Sequence, residues 1–186
     1  MTSRLPQLVG LSGRSGSGKD TAAAYLIHHH GYVRVAIADP IKRVVGELFD
    51  FDDAMLWEDA RDTMVPRIGL TPRQVYQRFG TACLELDSEV WVRAWKERAS
   101  LLIADGARVV CTDVRTQAEV NAVLDLGGVC WRLERSRTPK LGDEHVTEIA
   151  LDAVPVSRWQ GVIYNDNTLA DLHQSVEVLL TRCLRC

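Results

Sequence analysis

A glycine-rich segment near the start of the chain has the residue types and spacing of a phosphate-binding loop. Its residues are Gly13, Arg14, Ser15, Gly16, Ser17, Gly18 and Lys19. Because glycine has no Cβ, such a loop turns tightly and lets backbone N–H groups approach a phosphate, and the following helix points its positive end at the same anion. The apolar run 8–11 precedes the loop and the sequence 21–27 follows it. The pattern therefore predicts a buried strand, a phosphate cradle and a helix, with Lys19 reaching the outer phosphates.

The residue after the lysine departs from the usual form of this loop. The pattern expects Ser or Thr there as a ligand of Mg²⁺, whereas this chain has Asp20 followed by Thr21. Either Thr21 or a water molecule held by Asp20 could contact the metal, and the sequence leaves both open.

Charged residues downstream have the character that phosphoryl transfer requires, because this reaction needs positioned cations and backbone donors. Asp113 ends a predicted strand, where an acid that organises magnesium is expected, and Arg115 follows it. Capping of the next helix is the alternative role for Asp113, and simple solvation is the alternative for Arg115. A basic segment at 132–140 predicts a cationic lid. Its cations are Arg132, Arg135, Arg137 and Lys140.

Further cations lie between the predicted second and third strands, where a phosphate-bearing acceptor could enter. They are Lys42, Arg43, Arg73, Arg78 and Arg93. The arginine fork binds phosphate in a bidentate way. An alcohol acceptor benefits from a carboxylate base, whereas a phosphate monoester is largely dianionic near neutral pH and needs its charge neutralised. Spacing alone does not choose among these residues.

Strands and helices alternate along the chain, which predicts a parallel sheet covered on both faces. The predicted strands are 7–11, 32–38, 108–113, 129–133 and 162–166. The predicted helices are 19–30, 44–49, 72 onward with Thr71 and Gln74 as a capping box, 87 or 88 onward, 116–126 and 169–184. Residues 50–69 are acidic and show no clear period.

Composition bounds the class of protein. The chain has 186 residues, 46% of them hydrophobic, and a formal net charge of -3. This length predicts a single domain over 1–186. The charge favours a small anionic substrate over polymeric nucleic acid. Since the sequence contains no apolar run of about 18 residues and no signal peptide, we expect a cytoplasmic protein without a membrane partner. The oligomeric state stays open, and a homodimer is one of the states considered.

Cysteine and histidine tracts favour structural roles. The five cysteines lie at 83, 111, 130, 183 and 186. Three of them fall within apolar segments, and the terminal C-x-x-C has no second pair to complete a zinc site, so a metal or redox role is not favoured. His28–His30 close the first helix before Gly31, a residue suited to the C-cap.

Several blocks taken together resemble one known family over nearly the whole chain. The blocks are Gly13-x-x-Gly16-x-Gly18-Lys19-Asp20-Thr21, 38–42, 71–81, 91–93, 113–115 and 165–166. They are similar to the deoxynucleoside monophosphate kinases of tailed bacteriophages, in which an Asp also follows the loop lysine. The resemblance implies transfer of the γ-phosphoryl group of ATP to a deoxynucleoside 5′-monophosphate with Mg²⁺, in the host cytoplasm if the gene is a phage gene.

The same resemblance implies a three-layer α/β/α P-loop NTPase fold with a five-stranded parallel sheet. An acceptor-binding insertion is expected at about 39–105 and a lid at about 132–145. For ATP and metal the implied residues are Gly13, Ser15, Gly16, Ser17, Gly18, Lys19, Asp20, Thr21, Asp113, Arg115, Arg135, Arg137, Asn165 and Asp166. For the acceptor they are Asp39, Lys42, Arg73, Arg78, Trp91, Arg93, Arg115, His145 and Glu148.

Three other functions remain compatible with these residues. One is a small-molecule kinase that phosphorylates a hydroxyl with Asp39 or Asp113 as base. The second is a kinase acting on a modified base in phage DNA. The third is a nucleotide-sensing ATPase or GTPase, for which the sequence has no evident guanine-reading Asn-Lys-x-Asp stretch.

Overall fold

A computed structural model of the chain describes residues 5–136 and 153–183. The residues Arg137, Lys140, His145, Glu148 and Cys186, which the sequence analysis singled out, lie outside this described part. The chain divides into two compact units. The first unit comprises the described residues of Met1–Ala36 and Lys96–Cys186, and the second unit is Ile37–Trp95.

A five-stranded sheet forms the centre of the first unit. Its strands are β1 (Leu8–Ser12), β2 (Tyr32–Arg34), β3 (Arg108–Val114), β4 (Val129–Glu134) and β5 (Gly161–Tyr164). The order is β2-β3-β1-β4-β5, and all four strand pairs are parallel. Every residue of the central strand β1 is buried, as expected for a strand covered by helices on both faces. The predicted five-stranded parallel sheet is therefore confirmed.

Seven α-helices lie in the described part of the chain. They are α1 (Lys19–His30), α2 (Asp39–Phe49), α3 (Asp53–Trp57), α4 (Pro72–Leu86), α5 (Val90–Ala104), α6 (Gln117–Asp125) and α7 (Leu169–Cys183). In these same residues, no helix combines the length and apolar character needed to cross a bilayer.

Helix α1 covers the sheet with Ala22, Ala23 and Leu26, which are buried. It ends as predicted at Gly31, which has a φ of 67° and donates its N–H to the carbonyl of Ile27. Because an L side chain rarely adopts this backbone conformation, glycine at the C-cap explains where the helix stops.

The second unit has its own apolar core. Val45, Phe51, Leu56, Val65 and Val75 are its buried members. Helix α4 starts at the predicted capping box, in which the Thr71 side chain accepts from the Gln74 N–H and the Gln74 side chain accepts from the Thr71 N–H. The region 50–69 forms α3, a short 3₁₀ turn at Asp59–Asp62 and an antiparallel bridge between Val65 and Leu70.

Two predicted strands are shorter than expected. Strand β2 ends at Arg34, so Asp39–Arg43 begin a helix instead of following a strand end. Pro40 explains the start of the helix, because its fixed φ and missing N–H suit the first helical turn. The last strand ends at Tyr164, which leaves Asn165 and Asp166 in the connection that follows.

Candidate functional site

The phosphate-binding loop joins the central strand β1 to α1 and depends on three glycines with positive φ. The φ angles are 142° at Gly13, 75° at Gly16 and 100° at Gly18. A Cβ at Gly13 would lie 2.3 Å from the carbonyl oxygen of Leu133, and one at Gly18 would lie 2.3 Å from Nδ2 of Asn165. A side chain would be strained at all three positions because of the positive φ, and at Gly13 it would also collide with fixed backbone.

Lys19 and Ser17 line the cradle that this loop forms. The Lys19 ammonium donates to the carbonyl oxygens of Gly13 at 2.7 Å and Arg14 at 2.8 Å, so its charge lies over the loop. The Ser17 side chain is 1% exposed, and its Oγ has no hydrogen-bond partner among the described residues. Because an unsatisfied buried hydroxyl costs about 1–3 kcal/mol, this atom fits a site that receives an acceptor oxygen such as that of a phosphate.

Oxygen-bearing residues suited to Mg²⁺ lie around the loop. Asp20 and Thr21 are exposed in the first turn of α1, directly after Lys19. Asp113 is the residue before the end of β3, where the Ser12 hydroxyl of β1 donates to the carbonyl of Val114 at 2.6 Å. Since Mg²⁺ is usually held by one or two carboxylates together with substrate phosphates, these residues fit a metal bound with a nucleotide.

Glu119, which the sequence analysis did not select, organises the turn after β3. Its carboxylate accepts the N–H of Arg115 at 2.6 Å and the N–H of Thr116 at 2.8 Å. Withdrawal of the carboxylate from water raises the pKa of Glu119 to about 7, although the hydrogen bonds from Thr116 and Arg115 act in the opposite direction. The Thr-x-x-Glu capping-box spacing was the signal in the sequence that could have identified it.

The raised pKa of Glu119 predicts a pH-dependent stability. Its usual pKa is about 4.3, so between about pH 4.3 and pH 7 the folded protein holds a proton that the unfolded chain has released, and stability falls as pH rises. Replacing Glu119 by Gln keeps an acceptor for the two N–H groups and removes the titration. We expect urea-unfolding midpoints that fall less from about pH 5 to about pH 8 in this variant than in the wild type.

An exposed acid, Glu85, supplies the control for that measurement. Glu85→Gln should keep the pH dependence of the wild type, because its carboxylate is exposed on α4. If the urea-unfolding midpoints of the wild type and Glu119→Gln changed equally with pH, the raised pKa of Glu119 would be contradicted.

A cavity of about 220 Å³ adjoins the phosphate loop. Its lining residues are Gly13, Arg14, Ser17, Arg132, Leu133, Glu134, Arg135, Ser136 and Tyr164. Beside it, Asp166 accepts both the N–H and the hydroxyl of Ser136, each at 2.7 Å. The contact ties the segment after β4 to the segment after β5, so Arg135 is held beside the cavity.

Arg132 lies in the strand predicted at 129–133, and so it does not belong to the cationic lid expected at 132–140. It lies inside β4 and its Nε is 2.9 Å from Oε1 of Glu134. The basic composition of the segment suggested a lid, but β4 continues to Glu134 because its residues pair with Val162 and Tyr164 of β5.

Asn165 contacts the phosphate loop directly. Its side-chain Nδ2 donates to the carbonyl of Ser17 at 2.9 Å, and its backbone N–H donates to the carbonyl of Glu134 at 2.8 Å. The sequence analysis assigned Asn165 to the residues that bind ATP and metal. In the structure the side-chain amide of Asn165 contacts the phosphate loop and its backbone N–H contacts the end of β4. Asn165 therefore holds the loop against the sheet.

Two cations predicted to bind the acceptor are paired with carboxylates inside the second unit. Arg73 donates to Asp62 through Nε at 2.5 Å and Nη2 at 2.9 Å, and this hydrogen bond from Arg73 lowers the pKa of Asp62. Arg93 forms ion pairs with Asp87 and with Glu89, the latter at 4.0 Å. Assignment of Arg73 and Arg93 to an acceptor phosphate stays a prediction, and the pairings would have to rearrange.

Arg78 differs from these two arginines. It is exposed on α4 and forms no ion pair with any residue that the structure describes. Trp91 lies in a structural position, because its Nε1 donates to the carbonyl of Gly80 at 3.0 Å and its ring is 6.3 Å from that of Phe79.

The fold and the loop together define a class. A parallel sheet with a glycine loop between its central strand and a helix is the arrangement of P-loop kinases. Dephospho-CoA kinase from Campylobacter jejuni matches with a TM-score of 0.52 at 12% identity, covering 96% of this chain and 98% of that one. Shikimate kinase from Acinetobacter baumannii matches with a TM-score of 0.50 at 15% identity, covering 97% and 95%. These likenesses show the fold.

Sequence comparisons assign the family. The family model for deoxynucleotide monophosphate kinase matches residues 59–176. An Acanthamoeba polyphaga mimivirus protein, which carries the provisional name deoxynucleotide monophosphate kinase, is 30% identical over 91% of this chain and 93% of its own. The uncharacterised protein ORF77 of ictalurid herpesvirus 1 (strain Auburn) is 29% identical over 92% of this chain and 69% of its own. The chain belongs to the deoxynucleotide monophosphate kinase family and is a kinase.

Proposed function

We propose that the protein transfers the γ-phosphoryl group of ATP to the 5′-phosphate of a deoxynucleoside monophosphate, giving ADP and a deoxynucleoside diphosphate. The observation that carries this proposal is the glycine cradle at 13–18, with the Lys19 ammonium and the Ser17 hydroxyl inside it, in a chain of this kinase family. Supply of precursors for phage DNA would be the role of such a reaction if the gene is a phage gene.

The phosphate loop would bind the triphosphate of ATP. Backbone N–H groups of 13–18 and the N-terminus of α1 would donate to the phosphate oxygens, and Lys19 would leave the loop carbonyls for the outer phosphates. Asp20 or Thr21, together with Asp113, would hold Mg²⁺, which neutralises phosphate charge when bound. The nucleoside end of ATP would enter the cavity between Arg135 and Tyr164.

The reaction needs cations more than a base. The bond between the γ-phosphorus and its bridging oxygen breaks, and a new bond forms to an oxygen of the acceptor phosphate. A phosphate monoester has its second pKa near about 6, so its oxygen attacks without losing a proton at neutral pH. Charge that develops on the transferred group would be stabilised by Lys19, Arg115 and Arg135, with Arg137 assigned the same role from the sequence.

The second unit would bind the acceptor. Asp39 and Lys42 are assigned to it by resemblance to the family, as are Arg78, His145 and Glu148. Arg78 is exposed on α4, and its guanidinium fork suits bidentate binding of a phosphate.

Replacing Arg78 by alanine should raise the KM of the deoxynucleotide acceptor about tenfold or more and leave the KM of ATP nearly unchanged. Initial rates of ADP formation with each substrate varied in turn would measure both constants. Arg98→Ala is the matched control, because Arg98 is an exposed arginine on α5. A raised KM for ATP alone would reverse the placement of Arg78.

A turnover panel tests the proposed reaction. The panel contains the common deoxynucleoside and ribonucleoside monophosphates, small alcohols and single-stranded DNA, each with ATP and Mg²⁺ in a coupled ADP assay. We expect turnover with at least one deoxynucleoside monophosphate and product detection as its diphosphate. Turnover of an alcohol or of DNA alone, or hydrolysis of ATP independent of any acceptor, would overturn the proposal.

A further inference from the structure

Two buried charges mark one site in the second unit. Asp39 is 7% exposed and Lys42 is 9% exposed, although acidic and basic side chains usually lie at the surface. Both lie on α2, one helical turn apart. Because burying a charge is costly unless it is compensated, each of these side chains needs a partner in the folded protein.

Aromatic rings compensate the charge of Lys42. Its Nζ lies 4.3 Å from the ring centroid of Trp57 and 5.5 Å from that of Tyr76. Both distances are within the range in which a ring face attracts an ammonium ion.

The packing of the three helices that carry these residues sets this arrangement. Gly46 lies one turn after Lys42 on α2. A Cβ built at Gly46 would lie 2.7 Å from Cδ1 of Leu56, which is the residue before Trp57. Gly80 follows Tyr76 by one turn on α4. A Cβ at Gly80 would lie 3.1 Å from Cδ1 of Ile41, the neighbour of Lys42. The absence of side chains at these glycines allows the close helix contacts that bring both rings to the lysine.

We propose that Trp57 and Tyr76 are positioning residues that hold the Lys42 ammonium for the phosphate of the acceptor nucleotide. This inference rests on the proposed function. Trp57 lies in the region 50–69, to which the sequence analysis could assign no structure. The rings would hold the Lys42 Nζ in place before the dianionic phosphate arrives.

Kinetics of two substitutions at Trp57 test the inference. Trp57→Leu removes the aromatic face, and Trp57→Phe keeps one. We expect Trp57→Leu to raise the KM of the deoxynucleotide acceptor about tenfold, with kcat and the KM of ATP within about twofold of the wild type, and Trp57→Phe to restore most of the loss. Tyr76→Leu and Tyr76→Phe, on a different helix, repeat the comparison if Trp57→Leu does not fold.

A double-mutant comparison separates positioning from packing. In a Lys42→Met background the Leu and Phe variants at Trp57 should have the same acceptor KM, since no cation remains to be held. Equal acceptor KM values for the Leu and Phe variants in the wild-type background, or a difference that persists in Lys42→Met, would overturn the inference. A wild-type protein that phosphorylates no deoxynucleoside monophosphate would instead overturn the proposed function.

Discussion

Lys19→Ala is expected to lower kcat by about 10³-fold or more, because it removes a cation that stabilises charge on the transferred phosphoryl group. The side chain is the first of α1 and lies over the loop, with its ammonium 2.7 Å from the carbonyl of Gly13. Steady-state rates with saturating ATP and acceptor would measure the loss. Lys19→Met fills the same space without the charge and should be impaired to a similar degree.

Stability measurements distinguish this loss from misfolding. The loop carbonyls that Lys19 contacts belong to a partly exposed segment, so both variants should unfold at nearly the same urea concentration as the wild type. Lys96→Ala is the control, because Lys96 is paired with Asp125 at 2.9 Å on the outside of the same unit. Near-normal activity of Lys19→Ala would contradict the assignment of the loop.

Gly13→Ala is expected to abolish measurable ATP binding and to lower the free energy of unfolding by about 2–4 kcal/mol. The residue has a φ of 142°, and the new Cβ would lie 2.3 Å from the backbone oxygen of Leu133 and 2.7 Å from Oγ of Ser17. A backbone oxygen in a paired strand cannot move aside as a flexible side chain can. The loop must therefore distort at the point where its N–H groups would meet the triphosphate.

Gly127→Ala provides a control for backbone strain alone. Gly127 has a φ of 72°, and no atom lies within 4 Å of a Cβ built there. Its substitution should cost only about 1–2 kcal/mol of stability and leave ATP binding unchanged. Urea unfolding and equilibrium binding of ATP measure the two effects. Equal losses in the two variants would show that the collision with Leu133 is not what excludes a side chain at position 13.

Much of the nucleotide site was open to prediction because its signals are local. The glycines at 13, 16 and 18, the start of the helix that follows and the position of Lys19 all lie within seven consecutive residues. The capping box at Thr71 and Gln74 is equally local, and the structure confirms it. Such features depend on backbone sterics and on hydrogen bonds between residues three or four apart, which the residue types alone indicate.

The acceptor-binding residues could not be predicted from local sequence signals alone. Spacing could not separate the cations of the second unit, because their partners are chosen by packing: Arg73 is paired with Asp62, and Lys42 lies against Trp57. The sequence placed Arg132 both in a predicted strand at 129–133 and in a basic lid at 132–140, and the structure confirms the strand. Charge counting identifies candidates, and burial and pairing decide what each one can bind.

From its sequence alone, this chain was determined to be a nucleotide-binding α/β protein of a recognisable kinase family, since a steric requirement for glycine and the alternation of apolar segments are properties of neighbouring residues. Only the tertiary structure decided that Asn165 donates to the carbonyl of Ser17, 148 residues away. It also decided that the rings of Trp57 and Tyr76 lie near the Lys42 ammonium. Contacts of this kind depend on which helices and strands pack together, and no short stretch of sequence encodes that choice.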